Sequence, residues 1–185
     1  MRAHRTFLSL LTMLAAAAAG PAWAQSSYTT LDLEACEVLK VYEEGGGADL
    51  RCDGQGGFDV FVSEGDARMD VDFGVRNEAF QTFSAFNNVG KTIEWMEDQD
   101  GLQAATIRFL IDVDGRKAEA LVVSKVGTRE APGCVVAVVD AAAEQANGTA
   151  RGLGVMAKFF DCDSDRIVIV PGARALVADF SGANQ

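Results

Sequence analysis

Apolar and polar residues alternate along much of the chain, and the phase of that alternation predicts strands. Phe58, Val60 and Val62 are in phase in one run, and Ala67, Met69, Val71 and Phe73 in the next. A period of two is what a strand with one buried face requires. SEGD separates the runs, and a two-residue turn at Gly65-Asp66 suits a hairpin. ATIRFLIDV and KAEALVVSKV form a clearer hairpin around DGR. A turn at Asp114-Gly115 pairs Ile111 with Ala118, Phe109 with Ala120 and Ile107 with Val122, all apolar, and sets Asp112 opposite Lys117.

Other segments follow from run length and period. Thr30 to Val41 fits a strand or a helix equally. Arg76 to Gly90 reads as a short helix, with Asn77 as cap, Phe80, Phe83 and Phe86 as a stripe and Gly90 as stop. Thr92 to Met96 reads as a brief strand. Cys134 to Val139 is continuously apolar, as a central strand is. Asp140 can cap a helix reaching about Asp161, with Ala146, Ala150, Leu153, Ala157 and Phe160 on one side; its glycines predict a late start or a break near Asn147-Gly148. Arg166 to Val170 closes the sheet. The expected fold class is α+β: a twisted, mostly antiparallel sheet of about six strands, a C-terminal helix packed on one face and a short helix in the middle. No repeat or linker divides residues 25–185, which read as a single domain, with 171–185 as a loose tail.

The first 24 residues change the picture. Two arginines precede an apolar run from Phe7 to Ala19, and Pro21 and Ala22-Trp23-Ala24 follow. That is the form of a secretory signal peptide, with cleavage expected between Ala24 and Gln25 and a periplasmic or secreted product. The run is too short to span a bilayer. Residues 1–24 hold two arginines and no acid, so their removal takes the formal charge from −11 to −13. Such a chain repels phosphate backbones and anionic lipids, which argues against nucleic acid and membranes and favours a basic partner. The only histidine, His4, leaves as well. Without imidazole, Ser–His and Cys–His catalysis and histidine-ligated metals are excluded, and only a large environmental shift could make a side chain titrate near neutrality.

Four cysteines, Cys36, Cys52, Cys134 and Cys162, are an even count suited to an oxidising compartment. Of three possible pairings, neighbours in sequence are favoured: Cys36–Cys52 across a glycine-rich reversal and Cys134–Cys162 across a strand and its returning helix. Asp161, Asp163 and Asp165 imitate a calcium loop, but the positions needing glycine and glutamate hold Arg166 and Gly172, so a solvated turn is expected. GKT at 90–92 and GLGVMA at 152–157 lack the remaining elements of a phosphate loop and a dinucleotide fingerprint. No cofactor is expected. Asp59, Asp70 and Asp72 are the candidate metal ligands: a turn at Gly65-Asp66 sets Asp59 opposite Asp72, and one at Glu64-Gly65 sets it opposite Asp70. Like charges opposed across strands are destabilising, so water, Arg68, a cation or a basic partner must offset them. The phenylalanine stripe and Trp95 read as core before ligand site.

FVSEGDARMDVDFG and FNNVGKTIEWMED resemble segments of a family of small exported proteins of Gram-negative bacteria, in which a G-D-x-R turn precedes F-N-x-x-G-x-x-I-E-W. Gly65-Asp66-Ala67-Arg68 and Gly90 to Trp95 carry the likeness. In that family the segments sit between two similarly placed cysteine pairs. The resemblance implies fold and location, and no activity or catalytic residue. The functional expectation is a non-catalytic periplasmic module that binds or inhibits a basic envelope or host protein. The alternatives are a carrier of a small molecule or divalent cation, or a hydrolase using paired carboxylates such as Asp59 and Asp72, or Glu94 and Glu97.

Overall fold

The computed structural model describes residues 25–43 and 46–181, so the expected signal peptide and the end of the tail lie outside the described residues. In chain order come β1 (Gln25–Thr30), β2 (Glu37–Val41), β3 (Ala48–Gln55), β4 (Phe58–Gly65), β5 (Arg68–Phe73), β6 (Asn87–Asp98), β7 (Gly101–Val113), β8 (Arg116–Lys125), β9 (Cys134–Asp140), α1 (Ala146–Met156), β10 (Val168–Ile169) and α2 (Ala175–Ala178). The fold class is α+β, with two sheets: a six-stranded one ordered β1-β6-β7-β8-β9-β10 and a four-stranded one ordered β2-β3-β4-β5. Only β10, beside β9, runs parallel to its neighbour. The ambiguous segment 30–41 resolves into the end of β1, a single 3-10 turn at Leu33–Ala35 and β2.

The hydrophobic pattern explains why the sheets meet. Val60, Val62, Val71 and Phe73 point from the small sheet into the same buried cluster as Ile93, Trp95, Ile107 and Phe109 of the large one. Phe73 and Trp95 pack edge to face at 5.4 Å, and the Trp95 Nε1 donates to Thr29 Oγ1 at 2.7 Å. Burying an aromatic side chain of this kind contributes about 3 kcal/mol. The opposite face of the large sheet is covered by α1, through Ala146, Ala150 and Gly154. Gly154 lets the helix approach closely: a Cβ there would lie 2.3 Å from Met96 Sδ, so the methionine side chain would have to move.

The β7–β8 hairpin has the expected register, Ile111 opposite Ala118 and Asp112 opposite Lys117, with Asp114 and Gly115 at positive φ. The β4–β5 hairpin is displaced. Its turn is Asp66-Ala67, at φ 53° and 54°, and Gly65 pairs with Arg68. Both expected turns and the observed one place the same residues on the same face, since they differ by steps of two. Val60 and Val62 meet apolar partners in each, so the pattern could not choose among them. Local bonds go with the observed turn: the Ala67 N–H donates to Glu64 Oε1 at 3.1 Å, and Arg68 pairs with Asp66.

The helix expected over 76–90 does not form. Residues 74–86 make an irregular strap, and β6 begins at Asn87. Phe83 is fully buried, whereas Phe80 and Phe86 are 45% and 57% exposed, so the stripe does not face one way. The polar side chains between them act as tertiary ties instead of helix caps. Asn77 donates to Asp72 Oδ1 (2.8 Å) and to the Gly133 carbonyl (3.0 Å), and accepts from the Ala79 N–H; such bonds compete with helix formation. At the C-terminus, the helix begins at Ala146, and Asp140 is engaged by Arg174 instead of capping it. The segment after Pro171, expected to be loose, is docked as far as it is described: Val177 and Phe180 are buried, and Phe180 packs edge to face on Phe83 at 4.9 Å.

Both expected disulfides are present. Cys36–Cys52 ties the lead into β2 to β3, and Cys134–Cys162 ties the start of β9 to the loop after α1. Closing loops of this length restricts the unfolded chain by about 3 kcal/mol each. Replacing Cys134 and Cys162 together by alanine should therefore lower the unfolding free energy by about 3 kcal/mol in urea denaturation; a loss below about 1 kcal/mol would mean the α1 return is held without its bridge.

Candidate functional site

Strand β3 reads Ala48-Asp49-Leu50-Arg51-Cys52, with Leu50 and Cys52 turned to the core and Asp49 and Arg51 to the opposite face. Asp49 pairs with Ser63, and Ser63 with Asp70, so one row across the small sheet carries a carboxylate at each side of a serine. Asp72 lies two residues along from Asp70 on the same face. Asp49, Asp70 and Asp72 are only 6–7% exposed, because the strap passes over them. Tyr42 Oη donates to Asp49 Oδ2 at 3.0 Å, and the Arg76 guanidinium stands 3.4 Å from the same oxygen. Asn77 covers Asp72.

Between the sheet and the strap is a cavity of about 690 Å³. Asp49 and Asp70 lie in its lining, Tyr42 and the half-exposed Phe80 give it aromatic walls, and Arg68 and Arg76 are its two cations. The buried Arg68 Nε has no hydrogen-bond partner among the described residues. Five acids against two arginines leave the lining acidic.

The carboxylates differ in charge state. Burial pushes Asp70 up to about 7, against backbone N–H bonds from Gln81 and Val71 and the field of Arg76. Burial, and then the neighbouring Asp70, push Asp72 up to about 8. Burial acts on Asp49 in the same sense, but hydrogen bonds from Ser63 and Tyr42 and the charge of Arg76 outweigh it, and its pKa is lowered. The pocket lining thus holds an ionised carboxylate, Asp49, and one that keeps its proton toward neutrality, Asp70, which titrates as a pair with Asp72 beside the pocket.

Of the residues singled out from sequence, Asp70 and Asp72 are brought together and Asp59 is set apart. In the observed register Asp59 is level with Gly74, whose N–H donates to the Asp59 carbonyl at 2.8 Å. Among the described residues no group of three or more His, Cys, Asp or Glu side chains is arranged to hold a metal ion. Trp95 is core, and of the phenylalanine stripe only Phe80 reaches the pocket. Asp161 accepts bonds from the Asp163 N–H and Ser164 Oγ, and Asp165 from the Asp161 N–H, an exposed turn closed on itself. Glu94 is taken up by Arg151 and Tyr28. Sequence reasoning missed Asp49, Tyr42 and Arg76. The alternation Leu50/Cys52 against Asp49/Arg51 could have placed Asp49 on the outer face, but nothing in the sequence announces that a strap covers that face.

No family model, curated protein or solved structure matches the chain. Among the described residues no helix is long and apolar enough to cross a membrane, and two disulfides suit an oxidising environment.

The acid pair sets a pH dependence. An acid whose folded pKa is raised holds its proton longer in the folded state, so stability falls as pH rises from about 4 through 7 and 8. Asp140, lowered to about 2 chiefly by its hydrogen bonds to Arg174, has the opposite sign and costs stability only as pH falls below about 4. Melting temperature should therefore peak in the mildly acidic range and decline toward pH 8, and Asp70→Asn with Asp72→Asn should flatten the decline. Equal melting temperatures at pH 5 and 8, or an unchanged slope in the double variant, would show that these carboxylates are not held protonated.

Proposed function

We propose that this is an exported, non-catalytic binding module of the bacterial envelope that captures a basic protein, taking one lysine or arginine side chain of that partner into the acidic pocket beneath the strap. The observation that carries the reading is Asp70: 6% exposed, in the lining of an open cavity, and without an ion pair among the described residues. A cation entering there restores to a buried carboxylate the partner it lacks, and it releases a proton in doing so. Tyr42 and Phe80 suit the aliphatic stem of a long cationic side chain. The acidic surface steers such a partner from a distance. The two disulfides and the leader-like first 24 residues support export, as does the resemblance to small exported Gram-negative proteins.

A lysozyme is a suitable basic probe. Isothermal titration at low ionic strength should show saturable binding, with proton release that scales with buffer ionisation enthalpy. Asp49→Asn combined with Asp70→Asn should weaken it at least tenfold, about 1.4 kcal/mol. Binding that is absent, or equal in the double variant, overturns the reading.

One observation favours a second reading, a carboxylate-dependent hydrolase. Asp49 is held ionised and Asp70 protonated across one pocket, as a general base and a general acid are. Hydrolysis of a glycan by the purified protein, abolished by Asp70→Asn, is the result it requires; no turnover removes it.

A further inference from the structure

We propose a second binding site, for a tetrahedral oxyanion of phosphate or sulfate size, in the cleft where the N-terminus of α1 meets β6 and β7. The cleft has a volume of about 360 Å³ and lies on the helix-covered side of the large sheet, away from the acidic pocket. Its charge is inverted relative to the rest of the chain. Lys91, Arg108 and Arg151 line it against one acid, Glu94, in a protein whose formal charge is −11. Glu94 is already engaged by Arg151 (2.5 Å) and Tyr28 (3.1 Å), and Arg108 by Glu119 (2.7 Å). Lys91 has no ion pair among the described residues.

Two further features point donors at the same space. Thr106 is 6% exposed and lines the cleft, and its hydroxyl is not one of the buried side-chain atoms left without a partner among the described residues. A threonine hydroxyl at the edge of the cleft is a donor that an oxyanion seated there can accept from. The first turn of α1 has no side-chain cap at Gln145, and Asn147 of that turn lines the cleft, so the positive end of the helix dipole lies beside it.

Gly90-Lys91-Thr92, a poor imitation of a phosphate loop in the linear sequence, sits where the β6–β7 register shifts between Val89 and Ile93. The irregular stretch brings Lys91 and Thr92 into the lining. No strand–loop–helix unit surrounds it, so a nucleoside triphosphate is not the ligand this geometry fits; a single compact anion is. It can come as free inorganic anion or as the terminal group of a larger phosphorylated or sulfated molecule.

Titration of the purified protein with inorganic phosphate, and separately with glycerol phosphate, in chloride buffer tests the site by ³¹P NMR and calorimetry. Saturable one-to-one binding of at least one is expected. Binding of glycerol phosphate alone identifies the larger source, and binding of inorganic phosphate alone the free anion. Lys91→Gln, an exposed change that leaves the core alone, and Thr106→Val, which keeps the side-chain volume, should each weaken binding about five- to tenfold, while Asp70→Asn leaves it unchanged. No saturable binding of either probe, or affinities untouched in both Lys91→Gln and Thr106→Val with the fold intact by circular dichroism, overturns the proposal.

Discussion

Strand β5 is buried on both faces although only one of them is apolar. Val71 and Phe73 face the shared core, while Asp70 and Asp72 face the strap, and all four are less than 8% exposed. An edge strand normally leaves its polar face to water. Here residues 74–86 double back over it, held by bonds that do not depend on helix formation: Asn77 to Asp72 and Gly133, the Val135 N–H to Gln81 Oε1, and the Met69 N–H to Asn87 Oδ1. The strap is in turn pinned from outside by the C-terminal segment, through Thr82 with Ser181 and Phe83 with Phe180. Removing water from two adjacent carboxylates is costly, and the fold meets that cost by leaving them protonated and not by pairing each with a cation. The pocket exists because the strap bridges the acids without filling the space beside them.

The strands were legible because a buried face imposes a period of two, and long runs such as Ala105–Val113 satisfy it without competition. The disulfide pairing was legible for a related reason: a strand and its returning helix leave their ends side by side. Register was legible only where a one-position or two-position slip would spoil the pattern. The β7–β8 turn could be read because Asp114-Gly115 is the one place where both residues accept positive φ easily, while β4–β5 has apolar partners in three registers and folds around Asp66-Ala67, where alanine takes φ 54°. The strap was misread because Phe80, Phe83 and Phe86 have helical spacing. Spacing says nothing about whether neighbouring asparagines find better partners elsewhere in the fold, and here they do. For the same reason half of the site was invisible: Asp70 and Asp72 stand out as alternate acids in a strand, but Arg76 and Tyr42 reach Asp49 only through tertiary structure.

The absence of histidine from residues 25–185 bears on what the pocket can do. Imidazole is the usual means of exchanging a proton near neutral pH, and a chain without it is left with carboxylates far below that range and lysines far above it. Burial closes the gap from below. The desolvation that raises Asp70 and Asp72 toward 7 and 8 puts two exchangeable protons where a histidine would have put one. The same neutral acids also lower the charge that a folded, strongly acidic chain must confine. Catalysis is one use for such protons, but it requires a second group that moves a proton in the opposite sense, and Asp49, tied to Tyr42 and close to Arg76, is braced more as a fixed anion than as a base. Binding requires less: a cation that displaces the proton is held by a charge that exists only while the cation is there. On the proposed reading, a buried acid of that kind favours a basic side chain over an anionic one by charge, without any contact to its backbone.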